Sequence, residues 1–189
     1  MKFLKYLILS LTLITCQRKD HGIPADSLYQ VSSKWETQNG EKIRLADFRG
    51  KVLVVSMIYT SCTTACPRLT AEMKALWQKV GVKDPERLQF VLISIDPKND
   101  APEAMQKHLE TYGLADSNWT FLRGSEADTR ELANIMAVKY KEISPMEFSH
   151  SNIITVYAKD GRLAYQQEGL DKDSEEKLVK EIKNQLKTR

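Results

Sequence analysis

Cys62 and Cys66 stand four positions apart in Tyr59-Thr60-Ser61-Cys62-Thr63-Thr64-Ala65-Cys66-Pro67-Arg68, directly after an apolar run. The chain has 3 cysteines in all, the third being Cys16. On a regular helix, Cβ atoms at i and i+4 lie about 5–6 Å apart. A disulfide needs them near about 3.8 Å, so closing Cys62–Cys66 requires the loop to tighten away from helical geometry. The wider spacing also lets both sulfurs face one ion, and two thiolates are soft ligands that favour Cu(I) over hard cations. A Cys62–Cys66 disulfide, a metal clamp and a pair of small buried apolar side chains are the three uses open to this spacing.

The flanking sequence decides among them in part. Lys51 to Tyr59 is too continuously apolar for a strand with one wet face and reads as a central strand covered on both sides. Pro67 then opens a segment in which Leu69, Met73, Leu76, Trp77 and Val80 recur at helical spacing, so Cys66 lies at a helix start. The helix dipole and free backbone N–H groups there favour thiolate over thiol, which predisposes the loop to sulfur chemistry.

Further elements follow in order. Leu88 to Ile95 reads as a second strand ending at Asp96-Pro97, and Ala101 to Tyr112 as a helix closed by Gly113. A short segment Trp119 to Leu122, a helix from Glu126 to Tyr140, strands Ile153 to Ala158 and Leu163 to Gln167, and a helix from Ser174 to Leu186 with Ser174 as N-cap complete the list. Upstream, Asn39-Gly40 between strand-like segments marks an N-terminal β-hairpin, both residues accepting positive φ. The sum is α/β: a thioredoxin-like fold, a central mixed β-sheet flanked by helices, with a hairpin added in front.

In such a fold the loop entering the strand at Ile153 packs against the dithiol loop, and His150 occupies it. This location makes His150 the best third ligand beside Cys62 and Cys66. His108 sits in a polar helix stretch and reads as structural. Met57, Met73, Met105 and Met136 fall on patterned faces as core filling, and Met146, nearest His150, is a further soft side chain.

The first residues set the compartment. Lys2 and Lys5 precede an apolar stretch from Tyr6 to Ile14 that is shorter than the ~20 residues a bilayer span needs, the layout of a secretory signal. Leu13-Ile14-Thr15-Cys16 resembles the lipobox of bacterial lipoproteins, although Thr15 departs from the usual small residue. The resemblance implies a signal peptide over 1–15, lipidation of Cys16 and a polar tether over 16–27, with the domain at 28–189. The expected localisation is that of an exported bacterial lipoprotein, anchored in the membrane and facing the periplasm or extracytoplasmic side, where dithiols meet oxidants. The formal net charge of +3 and the lack of a basic run with interleaved aromatics exclude a nucleic-acid surface.

Asp47-Phe48-Arg49-Gly50-Lys51, Cys62-x-x-x-Cys66-Pro67, Ser94-Ile95-Asp96-Pro97 with Asp100, and His150 together resemble the SCO/SenC family of copper-binding proteins that assist cytochrome c oxidase assembly. The resemblance implies copper, as Cu(I) or Cu(II), on Cys62, Cys66 and His150, and cytochrome c oxidase subunit II as partner. It also implies an acidic residue near the site at Asp96, whose plainer role is to cap its loop with Pro97. The expected function is a copper chaperone that delivers copper to that subunit or reduces its cysteines. The competing expectation is a membrane-tethered thiol–disulfide oxidoreductase with Cys62 as nucleophile and Cys66 as resolving thiol, in which His150 has no obligatory role. Peroxidase chemistry fits poorly, because Thr60 is only two residues before Cys62.

Overall fold

The computed structural model describes residues 22–115, 118–145, 147–169 and 172–188. The signal segment, Cys16, the first half of the tether and Met146 lie outside the described residues. Among the described residues no helix is long and apolar enough to cross a membrane.

Among the described residues there are nine strands and four α-helices. They are β1 (Lys34–Thr37), β2 (Lys42–Arg44), β3 (Val52–Ile58), α1 (Ala65–Val80), β4 (Leu88–Ser94), α2 (Pro102–Thr111) and β5 (Trp119–Arg123). After these come α3 (Glu126–Ile135), β6 (Tyr140–Ser144), β7 (Glu147–His150), β8 (Ile153–Tyr157), β9 (Leu163–Glu168) and α4 (Lys172–Lys187). Seven strands form one mixed sheet in the order β2-β1-β5-β4-β3-β8-β9, and β6 and β7 form a separate antiparallel pair.

Every residue of β3 and of β4 is buried, as their predominantly apolar sequences require of central parallel strands, with Ser56, Gln89 and Ser94 the buried polar exceptions. β3 pairs in parallel with β4 and antiparallel with β8, which fixes its carboxyl end, and so the cysteine loop, at one edge of the sheet. The buried side chains, from Trp35 and Phe90 to Leu178 and Ile182, form a single core that includes Met57, Met73, Met105 and Met136.

The N-terminal hairpin is present, with two refinements. β1 also pairs with β5, so the hairpin extends the main sheet instead of standing before it. In its turn Gly40 takes φ +78° while Asn39 stays at negative φ, and the Gly40 N–H donates to the Thr37 carbonyl.

Two helix boundaries differ from the sequence reading. α3 stops at Ile135 and not near Tyr140, because the Val138 N–H closes back on the Ala133 carbonyl (2.8 Å) with Ala137 at φ +53°. Met136 and Val138 are both buried, so the apolar spacing continued past the true end. The residues beyond form β6, which the sequence reading missed. α4 begins at Lys172, which puts Ser174 inside its first turn and not at the N-cap.

Gly161, in the β8–β9 turn, has φ +81°, and a Cβ there would come within 2.3 Å of Ser27 Oγ and 2.7 Å of the Tyr29 ring. Gly161→Ala combines left-handed strain with a clash against buried atoms. It is expected to destabilise by about 2–4 kcal/mol, read as a lower thermal unfolding midpoint.

Candidate metal centre

The helix that follows the cysteines has no conventional cap. Thr64, the N-cap of α1, offers no side-chain hydrogen bond. In its place the Cys66 backbone N–H donates to Cys62 Sγ at 3.3 Å, so the sulfur receives one of the free N–H groups of the first turn. The Cys62 thiol therefore feels opposed forces: burial disfavours its ionisation, but the N–H groups of Cys66 and Thr64 and the side chains of Cys66 and Tyr59 outweigh it and bring the thiol down to about 7. Cys66 is fully buried, and burial, reinforced by Cys62 and the charge of Asp100, pushes its thiol well above the ordinary range. The two sulfurs are thus unequal, one half-exposed and readily ionised, the other buried and protonated.

His150 closes the group. Its Nε2 lies 3.3 Å from Cys66 Sγ, and the ligand atoms of Cys62, Cys66 and His150 all fall within 4.8 Å of one another. The Nδ1 atom is 3.2 Å from the Ser151 carbonyl, which can only accept. Nδ1 must then carry the proton, leaving the Nε2 lone pair directed at the sulfurs, the tautomer that metal-ligating histidines adopt. Burial also holds the imidazole below its usual pKa, opposed by the Ser151 bond, which keeps the ring neutral and able to ligate. Two thiols and a neutral imidazole in this arrangement can hold one soft metal ion, or exchange thiols with a partner disulfide.

His150 ends strand β7 instead of lying in a loop. It pairs with Tyr140, and the β6–β7 hairpin carries it over the cysteines. Tyr59 fastens that hairpin: its hydroxyl accepts from the Phe148 N–H (3.3 Å) and lies 3.4 Å from the Phe148 carbonyl. Its ring meets Phe148 edge-on at 5.2 Å and His150 at 5.9 Å. Burial raises the Tyr59 phenol to about 12, so it stays a protonated donor at neutral pH.

Asp96 is buried, and both its carboxylate oxygens accept from the Asn99 side-chain amide, within its own turn. The carboxylate that reaches the cysteine loop belongs to Asp100, also fully buried. It accepts from the Thr60 N–H (3.0 Å), the Thr60 hydroxyl (2.5 Å) and the Ser94 hydroxyl (2.5 Å). Tyr59 and Asp100 were not singled out as site residues by sequence. Asp100 entered the sequence reading only as part of the motif with Asp96-Pro97, and Tyr59 only as the residue before the cysteine loop. His108 is structural: its Nε2 lies 3.1 Å from Thr70 Oγ1 and its ring packs on Tyr112 and Phe121, burial lowering its pKa to about 4.

A consequence of the unequal thiols is that alkylation of the reduced protein by iodoacetamide should fall almost wholly on Cys62. Its rate should rise with pH through a midpoint near 7, since only the thiolate attacks. Peptide mass mapping across pH 5–9 checks this.

The SCO1/SenC family model matches residues 26–187. A SCO1 protein homolog of Bacillus subtilis is 26% identical over 153 residues, covering 79% of each chain. A solved structure of BsSco, described as a member of the Sco family of cytochrome c oxidase assembly proteins, superposes with a TM-score of 0.73 at 26% identity, covering 87% of this chain and 98% of that one. Bradyrhizobium japonicum ScoI with copper bound shares the fold at TM-score 0.67 and 23% identity, covering 80% and 96% of the two chains.

Proposed function

The chain belongs to the SCO1/SenC family, and from that premise we propose that it binds copper through Cys62, Cys66 and His150 and hands it to the copper site of an oxidase. The observation that carries the reading is the convergence of two sulfurs and an imidazole nitrogen within 4.8 Å. Copper enters as Cu(I), which suits thiolate ligands. Cys62 gives up its proton readily, whereas buried Cys66 gives it up only when a cation compensates, so uptake releases protons and weakens as pH falls. Half-exposed Cys62 is where a partner's ligand first reaches the ion. The partner in this reading is subunit II of cytochrome c oxidase, and the chain works from an exported position, held to the membrane by a lipidated Cys16. The family resemblance of the motifs and the signal-like Lys2 to Cys16 segment support those two parts.

Anaerobic Cu(I) titration of the reduced protein against a chromogenic competitor tests the reading. One tightly held ion per chain is expected, and stoichiometry well below one would sink it.

The readily ionised Cys62 favours a second use of the same dithiol. Its thiolate attacks a partner disulfide, forming a mixed disulfide and releasing one partner thiolate. Cys66 then attacks Cys62 Sγ, leaving a Cys62–Cys66 disulfide and a fully reduced partner, two electrons having moved. Turnover with a disulfide substrate that survives in His150→Ala separates this use from copper delivery, which needs the imidazole.

A further inference from the structure

We infer that the face bearing Ile135 and Leu163 rests on the membrane surface from which the chain is tethered, holding the cysteine–histidine group away from the lipid. The inference builds on the reading of Cys16 as the lipidated residue. Three large apolar side chains are notably exposed among the described residues: Ile135 at 51%, Leu163 at 57% and Ile143 at 62%. Two of the three, Ile135 and Leu163, flank one groove of about 490 Å³, and Ala25, at the start of the described chain, lines the same groove. Only six residue steps separate Cys16 from Gly22, so whatever its course that segment spans at most about 20 Å. A segment this short keeps the face from which the tether departs within reach of the lipid, and that face carries this apolar pair.

The N-terminal segment is fixed to this corner. The Leu28 N–H donates to the Gly161 carbonyl (2.8 Å) and the Ser27 hydroxyl to the Asp160 carbonyl (2.6 Å). The same turn takes the Gly50 N–H on the Lys159 carbonyl, which puts it at the amino end of β3. The cysteines follow the carboxyl end of β3, seven residues on, or about 20 Å at the usual rise of a strand. Leu163 pairs with Tyr157 beside this turn, so lipid contact there leaves the cysteine loop at the far end of β3, open to a soluble domain of a partner. Asp26 and Glu131 also line the groove, so the contact suits zwitterionic headgroups, with the apolar pair seated among them.

The test uses the full lipidated chain on phosphatidylcholine vesicles, with hydroxyl-radical oxidation of individual side chains read by mass spectrometry. Ile143, on the β6–β7 hairpin beside the metal-binding group, is the internal reference, since its exposure is close to that of Ile135. In the native chain, oxidation of Ile135 and Leu163 should be at least threefold below that of Ile143. Leu163→Glu, a change at an exposed position, should bring Ile135 up to parity with Ile143. Equal oxidation of all three in the native chain, on vesicles that carry it, would overturn the inference while leaving the tether reading intact. A chain that fails to float with the vesicles would overturn the tether reading and this inference together.

Discussion

Cys66→Ser is expected to abolish stoichiometric Cu(I) binding, and His150→Ala to weaken it by a smaller, measurable factor. The ranking follows from charge. Two thiolates supply the negative charge that a buried cation needs, and Cys66 is fully buried, so its replacement leaves one half-exposed thiolate as the only charged ligand beside the neutral imidazole. The loss should exceed the roughly 10–100-fold that removal of a supporting residue costs a metal site. The imidazole is neutral and adds a bond but no charge. His150→Ala should cost about 10–100-fold in affinity, or about 1.4–2.8 kcal/mol, with the hairpin kept in position by the Tyr59–Phe148 bonds. Competition titrations of the three proteins measure both, and equal losses in Cys66→Ser and His150→Ala would contradict the charge argument.

Asp100→Ala is expected to be the most damaging substitution among the hydrogen-bonding residues that support the cysteine loop. It strands three donors at once: the Thr60 N–H, the Thr60 hydroxyl and the Ser94 hydroxyl. Each buried, unpaired group costs about 1–3 kcal/mol. Some of that is offset because the native carboxylate itself is disfavoured by burial, which raises its pKa despite the Ser94 and Thr60 bonds. A net loss of about 3 kcal/mol remains, a fall of about 6–12 °C in the unfolding midpoint for a domain of this size. Thr60 is two residues before Cys62, so the loop should loosen as well, and iodoacetamide labelling should begin to reach Cys66. Asp96→Ala frees only the Asn99 amide of its own turn. Its effect should be about 1 kcal/mol, and a loss as large as that of Asp100→Ala would refute the assignment of Asp100 as the loop's anchor.

The parts of this fold visible in the sequence were those with an unambiguous period. Residues 52–58 and 88–94 are predominantly apolar runs with no alternation, and both are central strands. Leu69, Met73, Leu76 and Val80 recur at helical spacing, and they are the buried stripe of α1. The β6–β7 hairpin escaped because β6 buries little: apart from half-buried Tyr140, its residues are exposed, so no alternation marks it. The helical pattern of α3 ran on through Met136 and Val138, which are buried for reasons of the chain reversal at Ala137. At the site, residue type exposed the two cysteines and His150, because few other side chains do their chemistry. Asp100 and Tyr59 act through hydrogen bonds to Thr60 and Phe148, a relation made by the three-dimensional path of the chain and unmarked by any local pattern.

In the proposed site two sulfurs and one imidazole nitrogen surround a single ion. X-ray absorption at the copper edge of the anaerobically loaded, reduced full chain, taken beside His150→Ala, tests this arrangement most directly. The expected spectrum has two sulfur scatterers and one nitrogen with the outer-shell signature of an imidazole, and that signature disappears in His150→Ala while both sulfurs remain. A copper site with the same imidazole signature in native and His150→Ala proteins, or one lacking either sulfur, would rule out this ligand set.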